Sequence, residues 1–308
     1  MGRLLALALL VVPFAWGPAV AGAVVDARGR SVEVKDTARI VSIGGSVTEI
    51  LFALGLGDKV IAVDQTSRYP AAARALPNVG YARTLAPEGV LSVGPSVILA
   101  IEGAGPRSTL DVLENASVPV VIIPDAHDAE GVARKIEAVA AAVGEPAKGE
   151  ALAAAVRADF AALGAAVTAL KAHPRAVFVL STGNGTAVVG GADTSADAMF
   201  RLAGIANAMS AIKGYKPAVD EAAMAADPDA VVVMRGGGQV LDAESVLSLP
   251  AFAGTPAARD KRFVSLPGSY LLGFGPRAPQ AARDLAAALH GAAMPELPAR
   301  PWAAEPDE

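Results

Sequence analysis

Cysteine is absent from all 308 residues. Disulfides, thiolate metal sites and cysteine nucleophiles are therefore excluded. So is the lipid attachment point of a lipoprotein, which is a cysteine just after the leader, and a free exported protein is expected. Histidine is scarce: His127, His173 and His290 are isolated and read as surface or helix-capping residues. They do not supply the three or four convergent ligands of a zinc or manganese carrier. No G-x-S-x-G elbow occurs, and neither Gly183-Asn184-Gly185 nor Gly236-Gly237-Gly238 has the lysine of a phosphate loop. An enzyme is not expected. Net charge is −5 without a basic block, which argues against nucleic acid as a partner.

Long apolar runs are also lacking, apart from Leu4 to Trp16 after Arg3. That stretch is short of the roughly 20 residues that span a bilayer, and Ala-x-Ala sites follow it. It reads as a signal peptide (1–23), cleaved near Ala21 or Ala23. The mature chain, about 285 residues, is expected to be periplasmic, not membrane-embedded and monomeric.

What is present is an alternation of strands and helices. Arg39–Ile43 reads as a strand that ends in Gly44-Gly45. A helix follows from Val47 to Leu54, with Ser46 as its cap and Glu49 at capping-box spacing. Lys59–Val63, Val97–Ile101 and Pro119–Ile123 read as strands, and Ser108–Asn115 and Ala129–Val143 as helices. The pattern predicts a parallel, doubly wound sheet. Ala147–Ala172 lacks proline and reads as one helix of about 25 residues, roughly 40 Å long. It could bridge two lobes or form a core helix of a single domain. After His173-Pro174 the alternation restarts, with strands at Ala176–Leu180, Ala230–Met234 and Phe263–Leu266 and a closing helix at Pro279–His290. The expected layout is an N-terminal α/β lobe (24–144), a linking helix (145–172), a C-terminal α/β lobe (173–294) and a disordered tail (295–308).

The stretch Tyr69–Glu88 carries two of the chain's four tyrosines. Pro77, Gly80 and Pro87 make Asn78–Glu88 a loop. In an extended loop Tyr81 and Arg83 share one side, where the guanidinium favours the phenolate. Tyrosinate is a hard ligand for ferric iron and one of the axial ligands of haem. The alternative reading is a turn in which Tyr81 packs on a neighbour and Arg83 is solvated.

One internal correspondence links the halves. Glu88 is followed seven residues on by Pro95 and an apolar strand, and Glu221 by Pro228 and another. Each glutamate reads as lying in the first turn of a short helix, where negative charge is favoured. Two lobes of like architecture follow.

Several segments together resemble the periplasmic haem-binding proteins of bacterial ABC haem importers. In the first half they are Ile43-Gly-Gly-Ser-Val-Thr-Glu-Ile50, Asp64-Gln-Thr-Ser-Arg-Tyr-Pro70, Gly80-Tyr-Ala-Arg83 and Leu85-Ala-Pro-Glu-Gly-Val-Leu-Ser92. In the second half they are Leu180-Ser-Thr-Gly183, Asp193–Phe200, Gly214-Tyr-Lys-Pro217 and Leu271-Leu-Gly-Phe-Gly275. The likeness covers about Val24 to His290 and extends to the cobalamin- and siderophore-binding proteins. It implies two Rossmann-like lobes joined by one rigid helix, the class III periplasmic binding protein fold, with haem as transported ligand and a permease with its ATPase as partner. By the resemblance, Tyr81 ligates the iron, Arg83 hydrogen-bonds that phenolate, and Glu88 and Glu221 dock onto permease arginines. Tyr69 is a pocket-wall or structural residue and a weaker ligand candidate, Arg68 and Arg83 are the nearest cationic candidates for the propionates, and Tyr270 and Tyr215, candidates near the cleft, are read as packed aromatics. Some relatives have histidine where this chain has Thr182, so a single haem ligated by Tyr81 is expected. The rival ligands are cobalamin, for which the group has tryptophan at the Tyr81 position, and a ferric siderophore.

Overall fold

The computed structural model describes residues 22–183, 185–218, 225–236, 238, 240–291 and 294–304. Most of the expected leader and Glu221 lie outside the described residues.

An antiparallel hairpin, β1 (Ala23–Val25) and β2 (Ser31–Glu33), opens the described chain. The first lobe is built on β3 (Ile40–Ile43), β4 (Val60–Val63), β5 (Val97–Ile101) and β6 (Val120–Ile123), all parallel, in the order β4-β3-β5-β6. These strands are near-continuous Val/Ile/Leu/Ala runs because helices cover both faces of the sheet. The order reverses between β3 and β5, and ligands bind outside the carboxyl ends of strands at such a switch point.

Among the described residues the second lobe has six strands: β7 (Arg175–Gly183), β8 (Thr186–Gly190), β9 (Ala206–Asn207), β10 (Tyr215–Pro217), β11 (Ala230–Arg235) and β12 (Phe263–Pro267). The main order is β10-β8-β7-β11-β12, with β9 also pairing β7. Unlike the expected parallel arrangement, β8 runs antiparallel to β7 and β10 antiparallel to β8. The reason is the connection: only two residues separate β7 from β8, and a parallel pairing needs a crossover of a dozen or more.

The helix Pro146–Thr168 links the lobes. By length and composition it is apolar enough to cross a membrane, which differs from the expectation that no run after the leader would be. It packs instead on Ala129–Ala142 of the first lobe and Ala278–His290 of the second. Its buried Asp159 is ion-paired with Arg300 at 2.6 Å. One apolar core threads both lobes through this helix, from Ile40 and Leu99 through Val156 and Phe160 to Phe178 and Leu285.

Two expectations fail for identifiable reasons. The first helix runs Gly45–Ala53, and Ser46 does not cap it with a side-chain hydrogen bond. The Gly44 and Gly45 amides are taken by Asp64 Oδ1 (2.9 Å) and Thr66 Oγ1 (3.0 Å) of the next loop, and Glu49 pairs with Arg277 of the other lobe. The tail expected to be disordered is ordered over 294–304. Arg283 Nε donates to Pro295 O (3.2 Å), Tyr69 Oη to Trp302 O (3.1 Å), and Arg300 pairs with Asp159. Proline and acidic content suggested an unpaired chain, but these partners lie far away in sequence.

Candidate ligand-binding cleft

Three segments meet at the carboxyl edge of the first-lobe sheet. The loop after β4 is organised by buried Asp64. Its Oδ1 accepts from Gly44 N and Ser67 Oγ (2.8 Å), and its Oδ2 from Thr66 N and Thr66 Oγ1 (2.9 and 2.7 Å). A hydroxyl chain continues inward, Ser67–Thr48–Ser42, with both steps at 2.7 Å. A carboxylate can be buried only when its lone pairs are so satisfied. The result is a rigid loop that holds exposed Arg68 at the strand ends. Sequence reasoning missed Asp64, although the D-x-T-S pattern carries the Asx-type spacing that could have marked it.

The Tyr81 segment is stitched between two strand exits. Gln65 N donates to Gly80 O, Gly105 N to Ala82 O and Leu85 N to Gly105 O, each at 2.9 Å. Gly80 has φ +104°, so glycine is required there. Tyr81 itself is 40% exposed, an unusual state for an aromatic ring on so well-anchored a backbone. Arg83 is exposed beside it. The expected guanidinium–phenol hydrogen bond does not form among the described residues. Thr84 N donates to Tyr81 O (2.9 Å) and closes a turn, so the extended geometry that would align residues 81 and 83 is replaced by a reversal.

Facing these across the cleft is the carboxyl edge of the second-lobe sheet. Gly236 follows β11 with φ +83°, and a Cβ placed on it would lie 3.6 Å from Arg68 Nη1. Arg68 thus reaches over to the opposite lobe. Thr182 lies in β7, paired with Ala187 of β8 and half-buried. Glu88 sits exposed in the first turn of the helix Pro87–Ser92, away from the buried core.

The remaining candidate tyrosines are held by side-chain partners. Tyr69 is buried, its ring lies 3.4 Å beneath the Arg277 guanidinium, and its hydroxyl donates to Trp302 O. Tyr270 donates to Asp284 Oδ2 (2.8 Å) and lies 5.1 Å from the same guanidinium. It lines a cavity of about 510 Å³ with Arg235, Gln280, Arg283, Glu296 and Leu297, and Tyr81 is not among the lining residues. Tyr215 is packed edge-on against Phe178 and bonded to Ser195 Oγ (3.0 Å).

The floor between the lobes is charged. Glu49 and Arg277, 4% and 3% exposed, form two hydrogen bonds of 2.7 and 3.0 Å across the seam. Lys135 is fully buried. Its Nζ donates to Asp125 (2.5 Å), Ser46 Oγ (3.3 Å) and Phe274 O (3.2 Å) of the second lobe. Burial pushes the Lys135 ammonium below the usual lysine range, while the Asp125 and Glu49 charges oppose the shift. Burial would raise the Asp125 carboxyl, but hydrogen bonding to His127 and the charge of Lys135 outweigh it and hold the group at about 2. His127 lies 3.5 Å from Asp125 and packs on Phe274. His173 and His290 bond the carbonyls of Gly204 and Ala203 at a helix end. Among the described residues, no group of three or more His, Cys, Asp or Glu could hold a metal ion.

Residues 40–270 match the model of a family described as periplasmic binding protein. Among solved structures, the chain is similar to the periplasmic heme-binding protein BhuT in complex with two hemes. The two are 40% identical with a TM-score of 0.79, over 82% of this chain and 98% of that one. It is similar to the periplasmic heme-binding protein RhuT from Roseiflexus sp. RS-1, at 39% identity and TM-score 0.79, over 83% and 99% of the two chains. An uncharacterized ABC transporter substrate-binding lipoprotein, YvrC of Bacillus subtilis (strain 168), is 28% identical over 269 residues, 86% of this chain and 84% of that protein.

Proposed function

This chain belongs to the periplasmic binding protein family, and from that membership we propose that it captures haem between its lobes and delivers it to the permease of an ABC importer. The observation that carries the reading is Tyr81, an exposed phenol on a turn pinned to two strand exits at the switch point of the sheet. Such a group is presented to a ligand without any cost of reorganising the backbone. The names of the similar solved structures support the same ligand.

The roles divide by chemistry. The Tyr81 phenolate ligates ferric iron. Arg83, two residues on and solvent-exposed, swings onto the phenolate oxygen when the ligand arrives and stabilises its negative charge. Arg68, reaching across to Gly236, supplies positive charge to the propionates of haem. Thr182 offers only a neutral hydroxyl at the end of β7, a poor axial ligand, so one haem is bound per chain. Tyr270, committed to Asp284, contributes shape beside the cleft rather than a ligand atom. The protein works as an exported carrier and not as a catalyst, cleaved near Ala21 or Ala23 and monomeric. Its lobes are drawn at 24–144 and 173–294. Glu88 is the first-lobe contact for permease arginines, and Glu221 is its second-lobe counterpart.

Absorption titration of the mature chain with ferric haem, wild type beside Tyr81→Ala, tests the reading. A saturable tyrosinate charge-transfer spectrum with an endpoint of one, lost or shifted in the variant, is expected. Weak, nonsaturable binding that Tyr81→Ala leaves unchanged would overturn it in favour of a siderophore or cobalamin.

A further inference from the structure

The segment 294–304 touches both lobes and the linking helix. Its prolines, 295, 298 and 301, recur every third residue. That spacing suits polyproline II backbone, which needs no internal hydrogen bonds and has little conformational entropy left to lose. At the same period, Leu297, Arg300 and Ala303 share one side. Leu297 and Ala303 roof the cavity of about 510 Å³. Arg300, between them, makes bonds of 2.6 and 3.0 Å to Asp159 of the linking helix. At one end Arg283 of the second lobe holds Pro295 O, and at the other Tyr69 of the first lobe holds Trp302 O. Trp302 packs into the shared core, and the turn Pro301–Ala303 lies on the helix Gly45–Ala53.

Tyr69 is the link to function. It directly follows Arg68 in the loop after β4; its hydroxyl donates to the tail's Trp302 carbonyl and its ring stacks under the Arg277 guanidinium, which is itself paired with Glu49. We propose that the C-terminal segment 294–304 is a strap that positions the Arg68–Tyr69 wall of the cleft and fixes the angle between the lobes, so that it governs how long a bound ligand is retained. The strap's contacts are the linking helix, the root of the Arg68 loop and, in the second lobe, Arg283 and the cavity at the carboxyl ends of β11 and β12. Escape requires the Arg68 wall to swing out or the lobes to part, and both motions stretch the Tyr69–Trp302 and Arg300–Asp159 bonds. The retention part of this proposal rests on the haem reading; the positioning part does not.

The test uses the mature chain, wild type, Tyr69→Phe, Arg300→Gln and a truncation after Gly291. Tyr69→Phe deletes one hydroxyl and keeps the ring under Arg277. Stopped-flow transfer of haem to an excess of an apo-haem acceptor reads the release rate, and hydrogen exchange by mass spectrometry reads residues 66–76 in the ligand-free protein. The expected result is release about three- to tenfold faster in each point variant, with an unchanged absorption spectrum. Exchange over 66–76 should be faster in both. A merely structural role would lower the folded fraction while the surviving molecules kept the wild-type release rate. The truncation should exceed either point variant, and if it fails to fold, the two point variants carry the test alone. Wild-type release and exchange in both point variants overturns the strap. Absence of haem binding by the wild type overturns the haem reading instead, and the exchange measurement still decides the positioning.

Discussion

Replacing Arg277 with methionine isolates the energetics of the seam between the lobes. The Arg277 and Glu49 side chains are 3% and 4% exposed and share two hydrogen bonds. Arg277→Met keeps most of the side-chain volume but strands the Glu49 carboxylate in a buried site. Removing one partner of a buried pair costs about 3–5 kcal/mol, because the other charge stays uncompensated. Loss of the guanidinium stacked at 3.4 Å on Tyr69 adds about 1–2 kcal/mol. The nearby Lys135 ammonium interacts favourably with Glu49 and offsets part of the loss, so a total of about 3–5 kcal/mol is expected. Adding Glu49→Leu removes the stranded charge. The double variant should then recover at least half of the loss, since an apolar replacement of a buried pair is often near neutral. Urea unfolding of wild type, both single variants and the double closes the cycle. A single-variant cost under about 1 kcal/mol, or a double variant as unstable as the sum of the singles, would refute the reasoning.

Other consequences are open to equally direct measurement. Asp125, held at about 2, has a depressed pKa, so its contribution is present above the ordinary carboxylate range and is lost as pH falls through about 2. The shift amounts to about 2 kcal/mol. Asp125→Asn should flatten the dependence of stability on pH between about 4 and 2, and an unaltered acid limb would contradict the assignment. Gly44 has φ +113°, and a Cβ there would lie 2.7 Å from Ile101 Cβ. Gly44→Ala should therefore cost about 2–4 kcal/mol in denaturant unfolding, and a cost below 1 kcal/mol would show that the turn can relax. Glu88→Ala should leave the haem titration unaltered while reducing stimulation of the transporter's ATPase about tenfold. Full stimulation would remove Glu88 from the docking surface.

The strands and most helices were legible because their signals are local. Ile40–Ile43, Val97–Ile101 and Ala230–Arg235 are apolar runs bounded by glycine, proline or charge, and the helix Ala129–Ala142 repeats its buried face every three to four residues. What escaped was set by partners distant in sequence. Ser46 and Glu49 have capping-box spacing, yet Lys135 and Arg277, 89 and 228 residues away, claim them. Tyr69 carries the same chemistry as Tyr81; the carbonyl of Trp302, 233 residues on, and the Arg277 guanidinium mark it as a brace. That residues 78–86 form a loop was legible from Gly80 and the flanking prolines, but not the turn that Thr84 N closes on Tyr81 O in place of the extended geometry. The way its backbone is stitched to Gln65 and Gly105 was not, because the binding partners are main-chain groups that carry no residue code.

The apolar cluster shared by both lobes, from Ile40 through Phe160 to Leu285, has a consequence for how the molecule comes apart. A lobe cut away from the linking helix would expose the faces that Val156, Phe160 and Leu163 now cover. The lobes are thus expected to unfold together, although each has a sheet and a further apolar cluster of its own. Melting should appear in a calorimeter as one cooperative peak whose calorimetric and van't Hoff enthalpies agree. Docking of the helix Ala278–His290 on the linking helix should then belong to the same cooperative transition as the first lobe.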